Sequence, residues 1–552
     1  MADKLKIISL GGLNEIGKNL TAYEYKNDII IVDCGLGFPD DEMYGVDVVV
    51  PNVTYLSKNR EKLRGIFLTH GHEDHIGGLQ YLLQDITAPI YGTPMTLGLI
   101  KIKLSEHKLM DIAELIEIET GKTYKAGCFT VEPIHVNHSI AGSVSFAITC
   151  PVGILIQTGD FKIDPTPIND EMTDLTRFGE LGRKGVLALL SDSTNIERAG
   201  FSTSERRVGV RFDTLFESCK NRIIVTTFAS NVHRVQQIMD IAARYGRKVA
   251  VTGRSMENML RVSTELGYMT IPENTLVDIG QIKNYPIDKQ VIITTGSQGE
   301  TMSALYRMAF SGHKYIAIQP GDRVVMSASA VPGNETTVSK IVNELFRKGA
   351  EVLYRSVDEL HVSGHGFQEE LKLILALVKP KFFIPVHGEH RHLKLHAEIA
   401  KDMGIPADNV IISDIGKIIE VSRKDIKLNG SVPSGRVLVD GNGVGDVGSI
   451  VLRDRKHLAE DGMLVIVVGL SAEDCSIISG PDIITRGFVY VKEASTLIEE
   501  MRGVVLEAIE QCRDNNIADW TTIKNAAKAA VSQYLYKTTK RNPMILPVIM
   551  EV

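Results

Sequence analysis

The sequence predicts a multi-domain α/β protein, and three observations carry that reading. Apolar runs rich in β-formers repeatedly stop at an acid or a histidine near a glycine, as Ile66-Phe67-Leu68-Thr69 does before His70-Gly71-His72-Glu73-Asp74-His75. Between Arg222 and Glu300 the chain repeats strand, polar turn and helix, the pattern of a doubly wound parallel sheet. Its 552 residues are enough for three or four domains with separate cores.

Taken in order, residues 5–10 alternate as a strand and run into Gly11-Gly12, and Asp28–Val32 is a second strand ending in Asp33-Cys34-Gly35. The strand before His70 is followed by a tight loop and then by an apolar, helix-compatible segment, Leu79 to Leu83. Imidazole and carboxylate together suit zinc, manganese or iron better than calcium or magnesium alone. Histidines two apart at a strand end project toward one point and the Asp-His pair behind them toward a second, which supplies two adjacent metals. Pro94 to His107 reads as a helix and Phe129 to Ile134 as a strand leading to two candidate ligands, His135 and His138, of which His138 is preferred. Two more apolar strands end in acids, one at Asp160 and one at Asp192.

From about Glu205 the character changes. Ser230-Asn231-Val232-His233-Arg234, Gly253-Arg254-Ser255 and Gly296-Ser297-Gln298-Gly299-Glu300 each close a strand and open a helix, where backbone N–H groups favour phosphate. None is a Walker loop or a dinucleotide fingerprint. Near Glu351 the chain returns to the first fold: His361-Val362-Ser363-Gly364-His365 precedes a helix, Gln368 to Val378, and Lys381–Val386 is a strand ending at His387. His390, His392 and His396 read as solvated on a polar helix. Residues 421–450 read as a connecting unit. The remainder reads as a strand (Met463 to Leu470), helices near 494–513 and 519–536, and a terminal strand, with no ligand cluster.

Hydrophobic residues make up 44% and charged residues 23%, the balance of an ordinary globular protein. No run has the apolar length of a membrane span, and Met1-Ala2-Asp3-Lys4-Leu5 lacks the apolar core of a signal peptide, so no membrane association and a cytoplasmic location are expected. Six scattered cysteines read as thiols in a reducing compartment. A net charge of −7 argues against indiscriminate nucleic-acid binding but allows a local basic channel.

The stretch His70-Gly71-His72-Glu73-Asp74-His75 resembles the H-x-H-x-D-H signature of metallo-β-lactamase-fold hydrolases. Ser191-Asp192-Ser193, Ser363-Gly364-His365 and Pro385-Val386-His387 resemble the three motifs of the β-CASP insertion found in nucleases of that fold. Residues 11–18, 228–234, 363–366 and 541–547 extend the likeness over essentially the whole chain, which resembles bacterial ribonuclease J.

That resemblance implies an αββα sandwich from residues 1–204 and 350–422, a β-CASP parallel α/β domain at 205–349, a linker at 423–450, and a small α+β association domain at 451–552. It implies two divalent ions per chain, zinc first, with manganese or magnesium as alternatives. His70, His72, His138 and Asp160 would hold one and Asp74, His75, Asp160 and His387 the other, with Asp33 in support and Asp74 counted among the catalytic groups. The implied reaction is two-metal hydrolysis of RNA to a 5′-phosphate and a 3′-hydroxyl, with His365 as general acid and Asp192 holding its tautomer. Ser230, Asn231, His233, Arg234, Arg254, His361 and Ser363 are the expected RNA phosphate contacts. They include a 5′-monophosphate pocket that permits 5′→3′ digestion as well as internal cuts, in rRNA processing and mRNA decay.

The implied partners are single-stranded RNA, a second copy in a homodimer or homotetramer through the C-terminal domain, and other RNA-decay proteins. One departure is visible: Ser139-Ile140-Ala141-Gly142-Ser143 lacks the acid such proteins usually have there, with Gly142 in its place. Three other readings compete. A small-molecule metallo-hydrolase would not need Asp192 and His365, His387 disfavours a DNA-processing nuclease, and a non-catalytic paralogue would have lost a ligand.

Overall fold

Alternation along the strands sorts the apolar side chains into separate cores. The computed structural model describes residues 3–551 except 170, 299, 301, 302, 329–333, 355–359 and 491–493, so Gly299 of the third expected turn lies outside the described residues. Contacts divide the chain into two units, residues 1–37 with 49–437, and residues 38–48 with 438–552.

In the first unit β1 (Leu5–Gly11), β2 (Leu20–Tyr25) and β3 (Asp28–Val32) are antiparallel, and β4 (Leu63–Phe67), β5 (Ile90–Gly92) and β6 (Leu115–Glu117) continue the sheet in parallel. A second sheet starts as an antiparallel meander, β7 (Tyr124–Ala126), β8 (Phe129–His135), β9 (Val144–Cys150) and β10 (Gly153–Gln157), and adds β11 (Val186–Asp192) parallel to β10. The chain then leaves to build a third, all-parallel sheet. It contains β12 (Ile223–Thr226), β13 (Lys248–Thr252), β14 (Gln290–Thr294), β15 (Arg323–Met326) and β16 (Glu351–Leu353), in the order β13-β14-β12-β15-β16. On its return β17 (Phe382–Val386) lies parallel to β11, while β18 (Lys417–Val421) and β19 (Ile426–Ser431) complete the first sheet beside β1.

The inner faces of the first two sheets meet: Ile7, Tyr23, Ile30 and Phe67 pack with Phe146, Leu155, Leu190 and Phe382 in one core. Outside the first sheet, α1 (Glu73–Ile76) and α2 (Pro94–Glu106) cover Ile8, Ile31 and Leu68. Outside the second, α3 (Leu175–Lys184) covers Ala147 and Leu189, with help from helices that follow the third sheet. The result is the expected helix–sheet–sheet–helix sandwich.

The third sheet is doubly wound, because its strands are apolar on both faces. Ile223 and Val225 of β12 face a core shared with α4 (Arg206–Ser218), α5 (Val232–Arg244) and α6 (Arg254–Glu265). Ile224 between them faces α7 (Ala304–Ala309) and α8 (Glu335–Arg347). After it come α9 (Gln368–Val378) and α10 (His390–Asp402), which close the outer layer of the second sheet through Ile374 and Ala400.

Three expectations are corrected. Residues 423–450 are not a bare linker, since β19 is an edge strand of the first sheet and Arg436–Asp440 and Gly443–Val444 are further strands. Residues 351–353, expected in the sandwich, are β16 of the inserted sheet. Of the three histidines read as solvated, only His390 is exposed; His392 is 4% and His396 0% exposed, because α10 turns that face onto the sheet. The His396 ring packs on Phe383, and burial lowers its pKa to about 3.

In the second unit β20 (Met463–Leu470) lies between β21 (Ile477–Arg486) and β22 (Met544–Glu551). α11 (Ser495–Asp514) and α12 (Trp520–Thr539) cover one face through Met501, Val505, Val531 and Leu535. Residues 38–48 are tied into this unit by Lys456 to Glu42 at 3.0 Å and by Arg455 Nη1 donating to the Tyr44 carbonyl at 2.9 Å. Among the described residues no helix is long and apolar enough to cross a membrane.

Candidate active site

Strand ends in the sandwich deliver the candidate side chains. The end of β4 is followed by His70, His72, Asp74 and His75, the last two on α1. β8 leads to His138 and β10 to Asp160, while β11 ends at Asp192 beside β17, where Asp192 pairs in register with Val386 immediately before His387. Parallel neighbours ending at one level make this rim, the usual place for a site in α/β sheets.

Three groups of donors meet there. His70, His72, His138 and Asp160 form one, Asp74, His75, Asp160 and His387 a second, and Asp160, Asp192, His365 and His387 a third, each with ligand atoms within 4.8 Å of one another. In the first, His70 Nε2 and His138 Nε2 lie 3.0 and 3.1 Å from His72 Nδ1, and Asp160 Oδ2 lies 3.6 and 3.7 Å from His70 and His138. In the second, His75 Nε2 is 3.2 Å from Asp160 Oδ1 and His387 Nε2 is 3.2 Å from Asp74 Oδ2. Asp160 is 3% exposed and belongs to all three.

The chemistry of the donors fits divalent cations. Each histidine has an outward partner that fixes its tautomer: His138 Nδ1 donates to the Gly364 carbonyl at 2.7 Å and His75 Nδ1 to Asp33 Oδ2 at 2.8 Å. His70 Nδ1 lies 3.0 Å from Thr69 Oγ1, whose own proton goes to Asp33. His72 Nε2 lies 2.9 Å from Ser230 Oγ, and His387 Nδ1 lies 2.7 Å from Thr194 Oγ1. In the first group the inward nitrogens are then lone pairs, and lone pairs about 3 Å apart repel unless a cation lies among them. At a zinc–nitrogen distance of about 2.0–2.1 Å, tetrahedral ligands stand about 3.3 Å apart, close to the spacing seen. Gly364 is needed here, since a Cβ would meet His138 Cε1 at 2.6 Å.

Burial pushes the His70 and His138 rings well below their ordinary pKa and His72 to about 4, which keeps them neutral and able to ligate. The second group behaves oppositely. Burial would lower His387, but Asp160, Asp192 and Asp74 outweigh it and raise it to about 10. Burial would raise the Asp160 carboxyl, yet His387, His75 and His365 hold it ionised. Carboxylates that stabilise an imidazolium this strongly would stabilise a metal cation in its place.

Beside these groups His365 Nδ1 donates to Asp192 Oδ2 at 2.7 Å, and its Nε2 faces Asp160 Oδ2 at 3.9 Å. Burial opposes its protonation, but Asp192 and then Asp160 raise its pKa above the ordinary value.

Family models match in four consecutive segments: the metallo-beta-lactamase superfamily at residues 14–180, the ribonuclease J beta-CASP domain at 220–345, the Zn-dependent metallo-hydrolase RNA specificity domain at 349–411, and the ribonuclease J C-terminal domain at 450–552. The chain is 42% identical over 550 residues to ribonuclease J2 of Bacillus subtilis, covering 100% of this chain and 99% of the relative. The chain belongs to the ribonuclease J family. Ribonuclease J of Thermus thermophilus is likewise 42% identical, over 100% of this chain and 96% of its own. A crystal structure of a protein of unknown function from Enterococcus faecalis, 18% identical, shares the fold at a TM-score of 0.55 over 76% of this chain and 100% of its own. With the hydrolase and RNA-specificity segments both matched, the chain is a metal-dependent ribonuclease that binds RNA.

The expected RNA contacts separate into groups. Asn231, His233 and Ser363 line one cavity with His138 and Lys162. Ser230 is bonded to His72, so its hydroxyl supports a candidate ligand. Arg234 is corrected. It is 0% exposed, and its guanidinium grips Glu205 through two bonds of 2.8 Å, so it holds the inserted domain together and offers nothing to a phosphate. Its Nη1 also lies 3.1 Å from His361 Nδ1, and burial with the nearby cations lowers His361 to about 3. Arg254, with its side chain 80% exposed, is paired with Glu106 at 2.6 Å. Gly142 has φ +76°, and its carbonyl accepts from Thr93 Oγ1 at 2.7 Å.

Sequence reasoning passed over Thr194, Asn195 and Lys162. Asn195 Nδ2 donates to Ser363 Oγ at 2.6 Å and to the His365 carbonyl at 3.0 Å, so it holds the loop that carries His365. The available signal was the polar turn after Asp192, where Thr194 N–H donates to Asp192 Oδ1 at 2.9 Å.

Proposed function

We propose that the chain hydrolyses single-stranded RNA to 5′-phosphate and 3′-hydroxyl products, both stepwise from a 5′ end and internally, with two zinc ions at the first two donor groups. The observation that carries this is one buried carboxylate, Asp160, common to both groups, with a separately held histidine, His365, beside it. Cations bound there supply water activation at neutral pH and neutralise phosphoryl charge.

The protein's own residues do the rest. His70, His72, His138 and Asp160 hold one side of the site, and Asp74, His75 and His387 hold the other. Asp192 fixes the Nδ1 proton of His365 and raises its pKa, so Nε2 carries a proton to give to the leaving 3′-oxygen. The cavity beside His138, lined by Lys162, Asn231, His233 and Ser363, has the polarity to take a terminal phosphate of the RNA.

The sandwich, the inserted β-CASP sheet and a C-terminal association domain are the domains of this reading, and the compartment is the cytoplasm. A homodimer or homotetramer through the C-terminal domain is supported by the sheet face opposite α11 and α12, where Ile484, Leu546 and Val548 are exposed.

The test is a product ladder from 5′-labelled RNA carrying either a monophosphate or a triphosphate, with and without chelator. Expected are mononucleotides from the monophosphorylated end at a faster rate than from the triphosphorylated one, some internal products from both, and none with chelator. Equal rates at the two ends remove the phosphate pocket, and cleavage in chelator removes the metal reading.

A further inference from the structure

Thr194 stands in the turn that closes β11, beside His387, which the fold brings in from 193 residues further along the chain. Its hydroxyl is 2.7 Å from Asp192 Oδ1 and 2.7 Å from His387 Nδ1, with the His387 carbonyl at 3.2 Å. An ionised carboxylate only accepts, so the hydroxyl proton goes to Asp192 and the hydroxyl oxygen receives the Nδ1 proton of His387. Nδ1 is thereby committed to Thr194, and Nε2 is the ring nitrogen turned toward the second donor group, where Asp74 Oδ2 lies 3.2 Å away.

The same hydroxyl stands between His387 and Asp192, whose Oδ1 is 3.3 Å from His387 Nδ1. With Thr194 and its own N–H satisfying that oxygen, Asp192 Oδ2 is left for His365 at 2.7 Å. The His387 backbone is anchored independently, since its N–H donates to the Gly12 carbonyl at 2.8 Å. Loss of the hydroxyl would therefore leave the ring only its longer 3.3 Å contact with Asp192 Oδ1, with the strand end in place.

We propose that Thr194 is a positioning residue of this ribonuclease: its hydroxyl sets the His387 ring to ligate in the second donor group while reserving Asp192 for His365. The inference rests on the reading of Asp74, His75, Asp160 and His387 as a cation site. Partners of this kind are worth about 10–100-fold in metal affinity.

The test is calorimetric titration of the chelator-stripped full chain with Zn²⁺ alone, comparing wild type, T194V and T194S. Wild type is expected to bind two ions. T194V, which keeps the shape and removes the hydroxyl, is expected to bind one ion unchanged and the other about 10–100-fold more weakly. T194S, which keeps the hydroxyl, is expected to bind both as wild type does, and the three stripped chains to unfold at the same temperature.

T194V binding both ions as tightly as a two-ion wild type overturns the proposal alone. T194S as weak as T194V assigns the effect to packing of the methyl group and also overturns it, as does a stripped T194V that unfolds early. A wild type that binds fewer than two ions overturns the cation-site reading and the proposal together.

Discussion

His365→Ala is expected to slow RNA cleavage by about 10²–10⁴-fold, the usual worth of a positioned general acid, while the chain keeps both ions. The ring nitrogen that matters, Nε2, lies 3.9 Å from Asp160 Oδ2, while Nδ1 is committed to Asp192. His365 belongs only to the third donor group, with Asp160, Asp192 and His387, so removing its ring takes away a proton donor and leaves the two groups centred on the histidine loop complete. Single-turnover cleavage combined with metal analysis of the same sample separates the two roles. Loss of metal along with rate would make His365 a ligand, and an unchanged rate would place the proton elsewhere.

Asp160→Asn is expected to do both kinds of damage. Asp160 supplies an oxygen to each of these donor groups, and its charge raises the pKa of both His75 and His387. A neutral amide of the same shape keeps the packing and removes the charge. Metal content should fall below one ion per chain under limiting zinc. Cleavage should fall by about 10³-fold or more, since the ions contribute several kcal/mol of charge stabilisation and each 1.4 kcal/mol is tenfold in rate. A variant that retains two ions would show that the carboxylate is not the shared ligand.

How much of this was legible in the sequence follows from where each interaction partner lies. The strand ends were readable because an apolar run that stops at His70, Asp160, Asp192 or His387 announces itself by periodicity. What lies across the fold was not. Ser230 sits at a helix start, as an anion-binding serine would, but its hydroxyl meets a ring 158 positions earlier. Arg234 sits on the first turn of α5, where a cation looks free for phosphate, but the fold buries it against Glu205. His392 and His396 fall in a polar stretch, and only the angular position of that helix decides that one face is buried. Thr194 carries no signature beyond a turn, because its importance arises from two partners, one of them 193 residues away.

The β-CASP sheet was the easier prediction, since strands such as Ile223–Thr226 are apolar on both faces and that alone indicates helices on both sides. Its far boundary was harder. Glu351–Leu353 is a three-residue edge strand, too short for its pattern to distinguish it from the returning sandwich.

Anomalous diffraction from crystals of the zinc-loaded full chain tests the central claim most directly. Two peaks are expected, one among His70, His72 and His138, the other among Asp74, His75 and His387, with Asp160 touching both. A single peak, or a pair that leaves His138 or His387 without contact, would contradict it.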